Sequence, residues 1–275
     1  MTHKQAETPP LSPRLIKSPI IQNERVARDI VRLRIAAVEL ARFAVAGQFV
    51  NIKAGSGYFP LLRRPFSIHR VDRKSGWVEI LFKILGPGTE WLSRCTIEDE
   101  LDLLGPLGNG FQLTGGFSQA VLIAGGLGIA PLLFLAQELR QRQIAVTLLY
   151  GNKSYDTCCC QSDFEELGVQ SWVATEDGSA GFAGKVTELA MARSDLWQQP
   201  QTMIYACGPN AMLRQVTSMA AAAKIPCQIS LETMMACGFG VCLGCVVKST
   251  ATNVPFKYVC KDGPIFWSNE IDFSE

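Results

Sequence analysis

The sequence predicts a multi-domain chain: an antiparallel β-barrel, then an α/β domain with a parallel sheet, then a small C-terminal domain rich in cysteine. Three observations carry this expectation. From about Ile20 to Thr114 apolar residues recur with period two between turn residues, as in Val31, Leu33, Ile35 and again in Val78, Ile80, Phe82, Ile84. After Gly116 short apolar strands alternate with segments able to form helices. From Glu232 onward periodicity disappears and Gly and Cys dominate, a texture that a bound group normally has to order. The expected divisions are a tail over 1–18, a barrel over 19–114, an α/β domain over 115–232 and a cysteine domain over 233–275.

The tail is expected because Pro9, Pro10, Pro13 and Pro19 lie among polar residues, where neither a helix nor a central strand can continue. In the barrel region the clearest strands are Val31 to Ile35, Phe49 to Ile52 and Val78 to Ile84, and short strands of this kind suit an antiparallel barrel. In the α/β region the strand candidates are Ala120 to Ala124, Ala145 to Tyr150, Trp172 to Thr175, Met203 to Ala206 and Gln228 to Leu231. Five strands joined by four helical crossovers imply a parallel sheet.

Composition excludes several function classes. The 275 residues hold 26 basic and 25 acidic side chains, a net charge of +1, without the basic block that nucleic acid or an anionic membrane selects. Hydrophobic residues make up 48% and mean hydropathy is +0.14. Yet the longest uncharged apolar run, Ala120 to Ala136, is too short to cross a bilayer and is broken by Gly125, Gly126, Gly128 and Pro131. Only two histidines are present, which removes most histidine-based metal sites. Ten cysteines without a leader-like N-terminal segment point to a reducing, cytoplasmic setting, where clustered cysteines are more often metal or cluster ligands than disulfides.

Five motifs carry chemistry, four of them suited to nucleotide cofactors. Arg64-Pro65-Phe66-Ser67 opens a strand. Its arginine can hold a diphosphate beside a Pro-fixed backbone and its hydroxyl can reach a flavin ring nitrogen, although arginines flanking a strand also serve as a solvated face. Gly86-Pro87-Gly88-Thr89 marks a helix start whose free amides suit a phosphate, or simply a capped helix. Gly125-Gly126-Leu127-Gly128-Ile129-Ala130-Pro131 follows the first parallel strand, where glycines let a backbone approach a pyrophosphate. Its spacing is not G-x-G-x-x-G, and a plain glycine turn is the alternative. Cys207-Gly208-Pro209 ends the fourth strand at the carboxyl edge of the sheet, so that the Cys207 thiol could lie against a nicotinamide ring or be a buried small hydrophobe.

Cys237, Cys242 and Cys245 follow the plant-type [2Fe-2S] spacing C-x4-C-x2-C, with Cys260 as the distant fourth ligand. A structural zinc site is the competing reading, but zinc ribbons usually present two short pairs of cysteines rather than three in one loop. Cys95, Cys158, Cys159, Cys160 and Cys227 read as structural.

In this order the motifs resemble the ferredoxin-NADP reductase-like family and, more narrowly, the electron-transfer subunits of NAD-dependent (class 1B) dihydroorotate dehydrogenases. The resemblance runs from about Leu15 to Phe266 and is closest from Ser230 through Cys245 and from Cys260 to Phe266. Transhydrogenase-type relatives usually replace the first cluster cysteine by aspartate, whereas Cys237 is present here. The resemblance implies three cofactors, FAD, a [2Fe-2S] cluster and NAD. Arg64, Pro65, Phe66, Ser67, Leu81, Phe82, Lys83, Gly88 and Thr89 would hold FAD. Gly125, Gly126, Gly128, Pro131, Cys207, Gly208 and Pro209 would bracket the nicotinamide nucleotide, and Cys237, Cys242, Cys245 and Cys260 would bind the cluster. Ser67, Cys207 and Glu232 would stand nearest the chemistry, although Glu232 also reads as a surface carboxylate ending a strand. The implied partner is an FMN-containing dihydroorotate dehydrogenase catalytic subunit, two copies of each forming a heterotetramer in pyrimidine biosynthesis. A non-enzymatic ferredoxin-like carrier or a zinc interaction module is the alternative of another class.

Overall fold

The computed structural model describes residues 13–55 and 57–274; the expected tail over 1–12 lies outside them. Six antiparallel strands close a barrel in the order β1-β2-β5-β4-β3-β6. They are β1 (Arg14–Ala27), β2 (Ile30–Ala36), β3 (Phe49–Lys53), β4 (Arg64–Asp72), β5 (Trp77–Lys83) and β6 (Glu100–Leu107). Helix α1 (Val38–Phe43) links β2 to β3, and α2 (Pro87–Arg94) links β5 to β6. The period-two pattern turns Leu33, Ile35, Val50, Ile52, Ile68, Val78, Ile80, Leu101 and Leu103 inward, each without measurable exposure.

One boundary needs correction. Residues 14–18, expected in the tail, belong to β1, which pairs Arg14–Pro19 with Gly105–Glu100 of β6 and from Ile20 onward pairs with β2. Pro19 is tolerated because it stands where the strand leaves one neighbour for the other, so its missing N–H interrupts no continuous ladder.

The second half is a seven-stranded sheet in the order β10-β9-β8-β7-β11-β12-β15. Its parallel strands are β7 (Gln119–Gly125), β8 (Ala145–Asn152), β9 (Gln170–Thr175), β10 (Phe182–Ala183), β11 (Thr202–Cys207) and β12 (Cys227–Ser230). The crossovers contain α3 (Ala130–Gln141), α4 (Gln161–Glu166), α5 (Val186–Ala192) and α6 (Asn210–Ala223). The winding direction reverses between β7 and β11, the switch point at whose carboxyl edge an open α/β sheet binds ligands.

Beyond β12 the chain forms a hairpin of β13 (Val246–Lys248) and β14 (Phe256–Tyr258), then α7 (Val259–Asp262) and β15 (Ile265–Trp267). Strand β15 runs antiparallel to β12, so the cysteine-rich segment adds an edge strand to the sheet. Barrel and sheet share one hydrophobic core, and ion pairs of Arg32 and Arg70 with Asp163 and of Arg73 with Glu138 cross between them. Among the described residues no helix is long and apolar enough to cross a membrane.

Candidate functional site: two adjoining cavities and paired cysteines

A cavity of about 400 Å³ opens between the barrel and the sheet. Strand β4 contributes Arg64, Pro65, Phe66 and Ser67, strand β5 contributes Leu81, Phe82 and Lys83, and the turn into α2 contributes Gly88 and Thr89. Every residue expected to hold FAD therefore lines this one cavity. Phe66 and Phe82 pack with ring centroids 5.4 Å apart, which gives the floor an apolar surface suited to a planar ring. The opposite wall comes from Leu127, Ala130, Leu231, Glu232 and Met235.

The two arginines before Pro65 have different work. Arg63 is committed to the barrel: Nη2 donates to Asp102 Oδ1 at 2.8 Å and Nη1 to the Asp102 carbonyl at 2.8 Å. Arg64 has no carboxylate partner among the described residues and lies beside Gly88, where an added Cβ would come 3.2 Å from its Nε. A cationic fork next to the N-terminal turn of α2 is a seat for a diphosphate. The Thr89 hydroxyl, by contrast, closes the turn: it accepts from the N–H of Leu85 at 2.9 Å and of Gly86 at 3.2 Å and donates to the Gly86 carbonyl at 3.0 Å. Its contribution to a ligand is thus its backbone amide, not its side chain. An Arg64→Ala variant is expected to bind FAD about 10- to 100-fold more weakly, the scale of a lost charge-assisted pair, at little cost in stability. Arg63→Ala should instead lower the melting temperature and leave FAD affinity nearly unchanged; fluorescence titration and thermal melts separate the two.

A second cavity of about 480 Å³ lies over the switch point and shares Lys83 and Leu127 with the first. Gly125, Gly126 and Pro209 line it, as expected for a nucleotide. Gly128, Pro131, Cys207 and Gly208 line neither cavity. Gly128 serves packing: a Cβ there would sit 2.1 Å from the Cys207 carbonyl oxygen, so this glycine locks the turn after β7 against the turn after β11. Pro131 is buried in the first turn of α3. Cys207 has no exposed surface, and burial pushes its thiol well above the usual range, with the Glu232 carboxylate adding to the effect. Asn152, Lys153, Glu176 and Lys185, which belong to none of the sequence motifs, also line this cavity. Asn152 ends β8, while Lys153 and Glu176 follow β8 and β9 at the carboxyl edge; that position in the sheet is the signal that could have found them.

Glu232 follows β12 and faces the first cavity. Its surface remains open to solvent within the cleft, while the protein around the cleft desolvates its carboxyl and raises it above the usual carboxylate range.

The four expected cluster ligands stand as two pairs. Cys245 and Cys260 have their sulfurs 3.2 Å apart, and the Cys260 N–H donates to Cys245 Sγ at 3.4 Å. The Cys242 N–H donates to Cys237 Sγ at 3.4 Å, and the Gly240 N–H to Cys260 Sγ at 3.1 Å. Burial pushes Cys237 up, but the amides of Cys242, Phe239 and Val241 outweigh it and hold the thiol at about 6. Cys260 is pushed up to about 12, by burial and then by Cys245. Among the described residues no three His, Cys, Asp or Glu side chains converge as ligands of a single ion. Two thiol pairs with amides aimed at the sulfurs fit a [2Fe-2S] group, which takes two thiolates on each iron. The loop is anchored to the barrel by Asn51 of β3, whose Nδ2 donates to the Cys237 carbonyl at 3.1 Å; a Cβ at Gly238 would fall 2.1 Å from that nitrogen. Asn51 carried no signal in the sequence.

Comparisons with known proteins agree with this geometry. Residues 232–272 match the iron-sulfur cluster binding domain of dihydroorotate dehydrogenase B, and residues 122–218 match an oxidoreductase NAD-binding domain. The dihydroorotate dehydrogenase B (NAD(+)) electron transfer subunit of Desulforamulus reducens is 40% identical over 247 residues, covering 90% of this chain and 94% of that protein. Its counterpart in Bacillus caldolyticus is 39% identical over 227 residues, covering 82% and 86%. Among solved structures, one of an NADH-dependent reduced ferredoxin-NADP oxidoreductase superposes with a TM-score of 0.82 at 28% identity, covering 93% of this chain and 90% of that one. Sharing both domains and aligning over nearly its whole length, the chain belongs to the family of dihydroorotate dehydrogenase B (NAD(+)) electron transfer subunits.

Proposed function

We propose that this chain is the electron-transfer subunit that passes electrons from an FMN-containing dihydroorotate dehydrogenase catalytic subunit, through its own [2Fe-2S] group and FAD, to NAD+. It would work in the cytoplasm, two copies with two of the catalytic subunit. The observation that carries this reading is adjacency. The cavity expected to hold FAD touches the nucleotide cavity through Lys83 and Leu127 on one side and the cysteine segment through Thr233, Met235 and Pro264 on the other.

The bound groups supply a hydride carrier, a one- or two-electron flavin and a one-electron cluster. This chain's own residues hold and insulate them. Arg64 and the amides of Gly88 and Thr89 would neutralise the flavin diphosphate, and Phe66, Leu81 and Phe82 would give the ring a dry apolar wall. Ser67, free of side-chain partners among the described residues, would offer its hydroxyl to the flavin. Gly125 and Gly126 let the nucleotide diphosphate approach the backbone. Glu232, with its raised carboxyl, closes the far side of the cavity and can hold a proton beside the ring. Cys207 supports this wall from behind. Amides aimed at the Cys237, Cys245 and Cys260 sulfurs favour the thiolate form that iron requires.

The test is reconstitution. The purified chain, with one FAD, two iron and two sulfide, should be bleached by NADH and should reduce artificial acceptors alone. Combined with its FMN subunit it should couple dihydroorotate oxidation to NAD+ reduction. Strong preference for NADPH, or a complex that oxidises dihydroorotate without reducing NAD+, would refute the reading.

A further inference from the structure

Strand β3 stands between the first cavity and the paired cysteines. Its side chains alternate: Val50 and Ile52 belong to the barrel core, while Phe49 and Asn51 leave the barrel toward the C-terminal segment. Phe49 lines the first cavity and also joins Leu107, Cys245, Cys260 and Phe266 in one apolar cluster. Asn51, two residues on, pairs with Pro65 of β4, itself a wall of that cavity, and with Leu104 of β6.

Asn51 has no exposed surface, yet it is polar. The Cys237 carbonyl only accepts, so the atom facing it at 3.1 Å is Nδ2, and Oδ1 is left over. That oxygen is buried and meets no donor among the described residues. A buried acceptor without a partner costs stability, and a leucine of nearly the same size would avoid that cost beside Leu104 and Leu107. Packing alone therefore does not account for an asparagine at this position. What a leucine cannot do is hold the Cys237–Gly238 peptide, which Nδ2 approaches so closely that a Cβ at Gly238 would fall 2.1 Å from it; Gly238 there takes the positive φ of 80° that turns the loop. Beyond this turn the Cys242 N–H reaches Cys237 Sγ at 3.4 Å and the Gly240 N–H reaches Cys260 Sγ at 3.1 Å, so Asn51 acts at one remove on a sulfur of each pair. Asn109, beyond β6, makes the contrast. Its Nδ2 donates to the carbonyls of Lys261 and Asp262 at 3.3 and 3.0 Å, but it is exposed, and its backbone N–H holds the Gly263 carbonyl at 2.6 Å whatever the side chain.

We propose that Asn51 is a positioning residue for one-electron exchange between the [2Fe-2S] group and the flavin: gripping the Cys237 peptide from the strand beside the flavin's cavity, it fixes the separation of the two groups and keeps backbone amides on the thiolates. This role rests on the electron-transfer reading above and adds to it a residue that binds neither group itself. Hydrogen bonds to the sulfurs stabilise the reduced, more negative state of the group, so their weakening lowers its potential. A loop that drifts away from β3 widens the gap, and electron exchange falls steeply with distance.

The test uses the full chain loaded with FAD, iron and sulfide. Asn51→Leu keeps the size and removes the donor; Asn51→Asp keeps the shape and, once ionised, can only accept; Asn109→Ala is the comparison. Electron paramagnetic resonance during a redox titration reads the potential of the iron-sulfur group. In Asn51→Leu its reduced-to-oxidised ratio at a given potential should fall roughly tenfold, a shift of about 59 mV for a one-electron couple, and in Asn51→Asp it should fall further. On mixing with NADH the flavin, which gains two electrons, should bleach at the unmodified rate in every variant. The following step, in which one of those electrons passes to the iron-sulfur group, should slow about tenfold in both Asn51 variants. Asn109→Ala should match the unmodified chain in potential and in rate. An unchanged potential and transfer rate in Asn51→Leu would overturn the proposal, as would equal shifts in Asn109→Ala. Loss of iron from both Asn51 variants would make the residue a clasp for the loop and overturn it too. Failure of the electron-transfer reading looks different: the unmodified chain would hold no iron, or NADH would not reduce its flavin, and the role of Asn51 would fall with it.

Discussion

A Cys245→Ala chain is expected to reduce artificial dyes with NADH at nearly the unmodified rate, while NAD+ reduction coupled to dihydroorotate oxidation falls by about two orders of magnitude or more. The separation follows from where the residue stands. Cys245 pairs with Cys260 at 3.2 Å, so its removal leaves one iron of a [2Fe-2S] group with a single thiolate. The walls of the first cavity come instead from β4, β5, the start of α2 and the segment from Ser230 to Met235, with Phe49, Leu127, Ala130 and Pro264. No cysteine of the cluster set touches that cavity, and the nucleotide cavity lies on its other side. A dye that takes electrons at the flavin bypasses the missing group, whereas a partner's flavin in another chain does not. Steady-state assays with and without the catalytic subunit, beside iron analysis, read the result. An undiminished coupled rate would reduce the cysteines to a structural clip. Equal loss of both activities would mean that the loop docked through Asn51 also holds the first cavity together.

How far the sequence carries such reasoning depends on whether a feature is local. The barrel was legible because burial on one face of a strand imposes period two on consecutive residues, and Val31 to Ile35 and Val78 to Ile84 show it without help from the rest of the chain. The paired cysteines were legible as a set because three of the four lie within nine residues, Cys237 to Cys245. The first half of β1 was not, because Pro13 and Pro19 read as breakers until the change of partner at Ile20 is known. Nor was β15, whose three residues follow α7 and pair with β12, more than thirty positions earlier. The nucleotide cavity was half legible. Its glycines announce a turn, but Asn152, Glu176 and Lys185 meet only because β8 and β9 end side by side and the chain returns past them toward α5. Conversely, Gly128 and Cys207 look like ligand contacts in the sequence and are contacts of one turn with another.

That last distinction yields the other large effect. Gly128→Ala is expected to lower the melting temperature by roughly 6 to 10 °C and to cut NADH-dependent reduction of the flavin by about 100-fold, while FAD and iron remain bound. The new Cβ would lie 2.1 Å from the Cys207 carbonyl oxygen, 2.4 Å from its carbon and 2.8 Å from the Gly208 nitrogen. All three are backbone atoms on the last residue of β11 and the turn into α6, so no side chain can rotate away to make room. Relief requires the turn after β7 to separate from the turn after β11, and these two turns carry Gly125, Gly126 and Pro209 on the rim of the nucleotide cavity. Misplacing that rim costs binding geometry directly, because the approach of a diphosphate to backbone amides tolerates little error. The seat proposed for FAD at Arg64 and Gly88 and the cysteine pairs lie on other elements and should survive. Gly126→Ala is the comparison: its nearest neighbour is Asn152 Oδ1 at 3.9 Å, so its cost is the positive φ of 54° and a methyl group at the cavity wall. It should raise the KM for NADH with a much smaller loss of stability. Equal melting temperatures for the two variants would refute the packing role of Gly128, and full NADH reactivity in Gly128→Ala would show that the two turns need not stay locked for the nucleotide to bind.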